Sequence, residues 1–372
     1  MRIGLTYNIR GEVTQSADEP IDAQAEFDSV ETIDALERVL QALGHDVVRI
    51  GHIFNLVDHL ATPPDGPAGQ QSVGVAGEAL HGNTQPHPVV TSDQQSSLGK
   101  GTLDLVFNIS EGLHGRSREA QVPALLEAYR IPYTFSDPLT LAVCHDKASA
   151  KQILLSGQVA TPQACVITAP EELALHAGQL PPYPVMVKPV HEGSSKGIGN
   201  DSVVADDRAL LRLVQRLIQS YKQPVLIEEF MAGREFTVGL VGTASEARVL
   251  GAMEILLTDP TDLVYGYQPK QEYEQRVAYA PVTEQPLLAQ LSALALQAYT
   301  LMQCRDAGRV DIRLDAAGVP HVLELNPLPG MHPVHSDLPI IAAMHGLSHS
   351  DLVTLILQSA LKRTTPEPHR GA

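Results

Sequence analysis

Residues 308–315, GRVDIRLD, and residues 321–326, HVLELN, which return after the turn at 316–318, decide how this chain is read. Arg309, Asp311 and Arg313 alternate along the first segment, and Glu324 and Asn326 stand two apart on the second. Period-2 geometry therefore puts each set on one face of a strand. If the two strands pair antiparallel, Asp311 shares a face with Glu324 and Asn326. Two carboxylates and an amide make an all-oxygen cluster suited to Mg2+, with substrate phosphates filling the remaining positions. A hairpin with no ligand would not need charge on a face flanked by Val322, Leu323 and Leu325.

Immediately after Asn326 comes PLPGM, residues 327–331, a rigid turn whose Gly330 can present its backbone N–H to the same place. That amide and Arg309 would stabilise an oxyanion developing at a carbonyl carbon. His332 and His335 follow at a spacing of three. Without a third soft ligand, zinc is a weaker reading for them than substrate contact or plain surface.

Upstream, residues 184–199 read PVMVKPVHEGSSKGIG, an apolar strand ending at Lys188 and then a loop with Gly193, Ser194, Ser195, Gly197 and Gly199. Glycines permit close approach and positive φ, so the loop's N–H groups and hydroxyls can fold around phosphate oxygens, with Lys188 as the neutralising charge. This is not a P-loop, because Gln94 stands where the pair Gly99 and Lys100 would need the motif's first glycine. Taken alone, the stretch reads equally as an ordinary turn after a strand. Residues 225–230, VLIEEF, turn acidic at Glu228 and Glu229 and are followed by Gly233 and Glu235. Such a hinge can hold a purine between apolar side chains while a carboxylate accepts from ribose hydroxyls. Solvated acids at a strand end are the alternative.

The 372 residues carry 26 Lys and Arg against 43 Asp and Glu, a formal charge of -17. A field of that sign repels phosphate backbones and anionic lipid, which argues against nucleic acid or membrane as main partner. Clustered lysines or a metal still admit a polyanionic small ligand. Cys144, Cys165 and Cys304 match no zinc or redox spacing and read as buried free thiols. Residues 1–7, MRIGLTY, read as a strand rather than an export signal, and no apolar run reaches the roughly 18 residues of a membrane span. A cytoplasmic protein is expected.

The length fits two or three packed domains, and the expected class is α/β, turning α+β in the later parts. Residues 1–137 read as an N-terminal α/β layer: strand 3–7, helix 28–43 with Asp28 or Ser29 as N-cap and Gly44 beyond its end, then strand 47–50. Strand, helix, strand implies a parallel pair. Residues 61–100, rich in Pro, Gly, Gln, Ser and Thr, read as a long surface excursion, and strand 103–109 leads into the Gly-rich stretch 111–115. Residues 138–236 form a second part, with a helix carrying Lys147 and Lys151, strand 184–188, helix 207–219 and strand 224–230. Residues 237–365 form a third, with several strands, a Tyr-rich polar loop at 259–275, a helix at 284–302 and the hairpin. Residues 366–372 read as a tail.

Together these motifs resemble the ATP-grasp superfamily, and within it the D-alanine–D-alanine ligases. The matching stretches are DKASAK at 146–151, VKPVHEGSSKGIG, VLIEEF with GREFTVG, GRVDIRLD, and LELNPLPGM with the later HSDLP, all in the family's order over roughly residues 103–362. The resemblance implies three α/β domains, with ATP gripped between the central and C-terminal ones and two Mg2+ ions, or Mn2+ in their place, bridging its phosphates. It implies Lys147 and Lys188 as phosphate contacts and Glu192, Gly193, Ser194, Ser195 and Gly197 as the loop around the phosphates. Glu228 and Glu235 fall at the adenine and ribose contacts, with Glu229, Phe230 and Met231 at the hinge. Asp311, Glu324 and Asn326 fall at the metal ligands, and Lys270 at the lysine of the loop that closes over the γ-phosphate. Arg309 and the Gly330 amide match the oxyanion stabilisers and Ser194 the serine near the first substrate. Ser336 matches the serine near the second substrate, with His335 and Glu111 also assigned to the substrate.

The implied activity is ATP-dependent ligation of a carboxylate to an amine, joining two amino acids or small peptides through an acylphosphate, in a homodimer by family precedent. The same chemistry on an amino acid other than D-alanine or on a natural-product precursor stands beside it, as does a catalytically silent ATP-binding protein. Joint retention of Lys188, Arg309, Asp311, Glu324 and Asn326 speaks against silence. The departures cluster where substrate is chosen. YNIRGEV replaces the family's Gly-rich segment, leaving Glu26 and Glu31 as acids for the first ammonium. Gln271 follows Lys270 where the dipeptide-forming enzymes have Tyr.

Overall fold

The computed structural model describes residues 1–12, 19–61, 103–259, 261–267 and 272–364. Most of the excursion at 61–100, Lys270 with Gln271, and the tail lie outside the described residues.

Three sheets carry the described chain. In the first, β1 (Arg2–Thr6) lies between β2 (Asp46–Gly51) and β3 (Leu105–Asn108), all parallel. The helix Val30–Ala42 makes the crossover, with the Ser29 side chain accepting from the Thr32 N–H at its start and Gly44 at φ +85 beyond its end. Gly44 supplies the left-handed residue that ends such helices without a Cβ penalty. Ile33, Leu36 and Leu40 are fully buried, while Val30 and Leu43 are 52% and 38% exposed at its two ends.

The second sheet is antiparallel and runs β4 (Ala164–Ile167), β7 (Val225–Glu229), β5 (Val185–Pro189), β6 (Val203–Val204). Val185, Val187, Val225 and Ile227 pack with Leu210, Leu213, Val214 and Leu217 of the helix Asp207–Tyr221. Strand alternation sends their neighbours Met186, Lys188 and Glu228 to the opposite face.

The third sheet is a five-stranded antiparallel array: β10 (Val277–Pro281), β9 (Arg248–Leu257), β8 (Glu235–Val241), β11 (Ala307–Leu314), β12 (Pro320–Asn326). The helix Gln285–Leu301 covers its core, and so does a pair of helices, Pro138–His145 and Lys147–Ser156. The sequence suggests one helix here. The chain breaks at Asp146 (φ -90, ψ 96), whose carboxylate accepts from the Ser149 N–H at 2.8 Å. Asp146 thus caps a new helix, because an N-cap aspartate satisfies an amide with no intrahelical partner.

Two further helices, Asp337–Met344 and His349–Thr364, return to the N-terminal sheet. Leu352, Val353, Ile356 and Leu357 share one core with Ile3, Leu5, Leu36 and Phe107, so the two ends of the described chain pack together. Among the described residues no single helix is long and apolar enough to cross a membrane.

Candidate active site

β11 and β12 pair antiparallel with Asp311 opposite Glu324 and Arg309 opposite Asn326. A bulge between Asp311 and Ile312 then shifts the register so that Ile312 meets Val322. Bulges re-aim side chains where regular pairing would not, and here both Leu323 and Glu324 line the cleft between the second and third sheets. Asn326 donates from Nδ2 to Asp311 at 3.2 Å, and Thr237 on the neighbouring β8 donates its hydroxyl to Asp311 at 2.9 Å. The three oxygen side chains named from sequence therefore share one face.

That cleft holds a narrow cavity of about 70 Å³. Met186, Ile198, Met231, Ile255, Val264 and Leu323 give it apolar walls. Glu229, Phe230 and Glu235 also line it. Glu235 pairs with Arg313 at 3.4 Å, and Arg313 stacks over the Phe230 ring at 4.8 Å. A flat aromatic ligand with a polar edge fits such a slot. At its other end stand the lysines. Lys188 lies 2.5 Å and Lys151 2.9 Å from the Glu228 carboxylate, all three deeply buried. Burial pushes the Glu228 pKa up, but the two ammonium groups outweigh it and hold it below the usual carboxylate range. Glu228, expected at the adenine, lines the slot and is also the counter-ion of two lysines. Lys147 pairs with Glu324 at 3.1 Å and donates to the Glu192 carbonyl.

The Gly-rich loop turns through left-handed positions at Ser194 (φ +48), Ser195 (φ +58) and Gly197 (φ +71). Two of the amides expected to face phosphate are otherwise engaged, since Gly193 donates to Glu26 at 2.7 Å and Gly197 to Asp22 at 2.9 Å. Glu26 also takes a bidentate pair from Arg118 (2.7 and 2.9 Å) and a bond from Lys196 (2.9 Å). Burial alone would raise the Glu26 pKa, yet Arg118 and Lys196 drive it far below the carboxylate range. The Glu192 carboxylate belongs to the same network, joined to Arg118, Lys196 and Gln223. Ser195 donates its hydroxyl to the Tyr265 carbonyl at 3.0 Å, and Tyr267 donates its N–H to Ile198. The described part of the Tyr-rich loop is thus seated on the Gly-rich loop.

A second and wider cavity of about 400 Å³ adjoins the first, and Arg309, Glu324 and Tyr265 line both. Gly330, His335, Ser336, Ser194, Glu192 and Glu111 line it too. Arg309 faces Asp311 and lies 3.4 Å from Asp337; burial would lower its pKa, but these carboxylates hold it higher still. Ser336 accepts from the His332 N–H at 3.0 Å, and a Cβ on Gly330 would fall 2.7 Å from the Ser336 hydroxyl, which is why this position is glycine. His332 and His335 stack with ring centroids 4.2 Å apart.

The donor chemistry fits Mg2+. Among the described residues no three His, Cys, Asp or Glu side chains gather as a metal-holding group, and a site here would need the Asn326 amide oxygen and substrate oxygens beside Asp311 and Glu324. The set present is oxygen only, with Asp311 balanced by Arg309 and Glu324 by Lys147.

A family profile described as "D-ala D-ala ligase C-terminus" matches residues 162–358. The chain is 34% identical over 257 residues to a D-alanine–D-alanine ligase of Bordetella pertussis, covering 68% of this chain and 78% of the relative. An uncharacterized protein of Sinorhizobium fredii is 33% identical over 270 residues, covering 70% and 76%. This chain belongs to the D-alanine–D-alanine ligase family. Its ATP-grasp fold agrees with the VanG D-Ala:D-Ser ligase of Enterococcus faecalis, at TM-score 0.68 and 20% identity over 96% of this chain and 99% of that one. It agrees also with a D-alanine–D-alanine ligase of Bacillus anthracis, at TM-score 0.66 and 21% identity over 98% of both.

Within this ligase-family site, sequence reading passes over Thr237, the buried Lys151 that shares Glu228, and the Glu26–Arg118–Lys196 network. It also passes over His145 and Glu119, which line the wider cavity. Lys151 alone carries a local signal, the DKASAK repeat of lysines one helical turn apart; Thr237 and the Glu26 network depend on partners 70 or more positions away, and His145 and Glu119, 26 positions apart, depend on the helix break.

Proposed function

We propose that this member of the ligase family activates one carboxylate with ATP and joins it to a second substrate's amine, both substrates being amino acids or small peptides. The observation that carries the reading is the wall common to the two cavities. Arg309 and Glu324 face the narrow, apolar-walled slot on one side and the wider cavity on the other. A phosphoryl donor in the slot and a carboxylate in the cavity would meet there.

The slot's apolar walls take the adenine, and Glu229, Met231 and Glu235 read its edge and ribose. Lys147 and Lys188 contact the phosphates, with Lys151 and Glu228 holding Lys188 in place. Asp311, Glu324 and Asn326 would hold Mg2+, which when bound would offset the charge of the phosphates. The first substrate's carboxylate attacks the γ-phosphorus, giving ADP and an acylphosphate. The second substrate's amine then adds to the activated carbonyl, and Arg309 and the Gly330 amide stabilise the oxyanion before phosphate leaves. Ser194 and Ser336 orient the two substrates. An acylphosphate must be kept from water, and the described part of the Tyr-rich loop, seated on Ser195 and Ile198, shields the cleft for that purpose.

The test is phosphate release from ATP and Mg2+ against single and paired D- and L-amino acids. Release that requires one particular pair, with a new amide by mass spectrometry, supports the reading. Absence of release with every pair overturns it.

A further inference from the structure

The Gly-rich loop is held from outside the sheet that carries it. Two acids of the segment that follows β1, Asp22 and Glu26, reach across and accept backbone N–H groups at its two ends. Glu26 takes the Gly193 amide at 2.7 Å and the Lys196 ammonium at 2.9 Å, and Asp22 takes the Gly197 amide at 2.9 Å. Asp22 is 5% exposed, and the Tyr221 hydroxyl, at the end of the helix Asp207–Tyr221, donates to it at 2.7 Å. A Cβ on Gly193 would fall 2.6 Å from the Glu26 carboxylate, so this glycine makes room for the acid.

Residues 20–28 are themselves tied down. Asp28 donates its N–H to the Asn8 carbonyl at 2.8 Å, and Arg10 donates to the carbonyls of Phe27 and Ala25 at 2.8 and 3.1 Å. Arg118 joins Glu26 to the His191 carbonyl just before the loop. Within itself the loop makes two short turns, from the Lys196 N–H to Gly193 and from the Ile198 N–H to Ser195, each 3.0 Å. Among the described residues the N–H groups of Ser194 and Ser195 have no partner. Ser194 lines the wider cavity and Ser195 the narrow slot, so these two amides sit at the border between them.

We infer that Asp22 and Glu26 are positioning residues for the triphosphate: they pin the Gly-rich loop at both ends, so that the Ser194 and Ser195 amides meet phosphate oxygens already in place. The inference rests on the ligase reading for the nucleotide in the slot. Without such a brace a glycine-rich loop loses its conformational freedom only when phosphate binds, and affinity falls accordingly. The effect is confined to the phosphates, because the apolar end of the slot is built from strand and hinge residues such as Met186, Met231 and Leu323.

Calorimetric titration of the full chain with Mg2+ tests it, with a non-hydrolysable ATP analogue against adenosine, which keeps base and ribose and lacks the phosphates. Glu26→Gln leaves Lys196 and Arg118 with Glu192 as their shared counter-ion. It is expected to bind the analogue about tenfold more weakly, the worth of one charge-assisted hydrogen bond, and adenosine as wild type does. Should Glu26→Gln fail to fold, Asp22→Ala carries the test, since it takes an acceptor from two neutral donors and leaves no buried cation unpaired. Its expected loss is about threefold, again for the analogue alone. A folded variant that binds the analogue as wild type does, an equal loss of both ligands, or a wild type that holds the analogue no more tightly than adenosine overturns the inference. A phosphate-specific loss in the variants, with no phosphate release for any amino-acid pair, would sink the ligase reading alone. Release by a folded variant whose affinity for the analogue is unchanged would sink the brace alone.

Discussion

Glu228→Gln separates two roles for one carboxylate. Glu228 lies between two buried ammonium groups, at 2.5 Å from Lys188 and 2.9 Å from Lys151. The amide keeps the volume and an acceptor but removes the charge, leaving two lysines buried without a counter-ion. Removing one partner of a buried pair costs about 3–5 kcal/mol, and retained hydrogen bonding places this variant near 3 kcal/mol. At about 2 °C per kcal/mol for a chain of this size, the melting temperature falls by roughly 6 °C. The assay is urea and thermal unfolding of the nucleotide-free protein. Since the folded-state pKa of Glu228 is depressed, the wild-type advantage is full above the ordinary carboxylate pKa. It is lost as pH falls through the depressed value, so the two proteins converge in acid. A variant within about 0.5 kcal/mol of wild type at neutral pH, with only weakened ATP affinity, would refute the argument, since that is the outcome for a carboxylate that merely touches adenine.

Glu324→Ala removes an oxygen donor and leaves Lys147 without its ion pair. Phosphate release is expected to vanish, with a smaller fall in the unfolding midpoint than in Glu228→Gln because Glu324 is partly exposed and Lys147 keeps its bond to the Glu192 carbonyl; unchanged turnover would remove Glu324 from the metal site. Gly330→Ala brings a methyl to 2.7 Å from the Ser336 hydroxyl. Shifting the turn by a few tenths of an ångström misplaces the amide, with an expected loss of about 10–100-fold in kcat and little change in ATP affinity. The raised pKa of Asp28, about 7, has a sign that can be read directly. Stability from its neutral form is present at low pH and lost as pH rises through 7. In urea unfolding Asp28→Asn is expected to match wild type in acid and to gain on it as pH rises through 7, and a constant difference across that range would refute the assignment.

The polar face of the hairpin was legible because alternation is the one property a strand cannot hide. Asp311, Glu324 and Asn326 are polar at every second position among residues that must be buried. The class of fold and the parallel β1–β2 pair were legible for a similar reason, in the apolar face of the helix after Ser29. The role of Glu228 was not, because its partners come from a different strand and a helix, and only folding brings Lys151 and Lys188 to either side of it. Glu26 illustrates the same limit. Its sequence neighbours give no hint that Arg118, 92 positions away, and Lys196 would neutralise it and remove it from the acids available to a substrate. The break at Asp146 had a local sign, an aspartate three residues before Ser149, masked by apolar residues that continue on both sides. The helix His349–Thr364 had one as well, with Leu352, Val353, Ile356, Leu357 and Ala360 on a single stripe.

That last helix bears on how the protein is made. It closes a core begun by Ile3 and Leu5, and Arg363 binds Asp306 and the carbonyls of Tyr133 and Phe135. A nascent chain that has already made its first sheet cannot seal that sheet until the segment around residues 352–363 has been translated, so one side of those early strands stays greasy until then. A ribosome that stops before that segment would release a sticky, half-dressed product instead of a shortened enzyme.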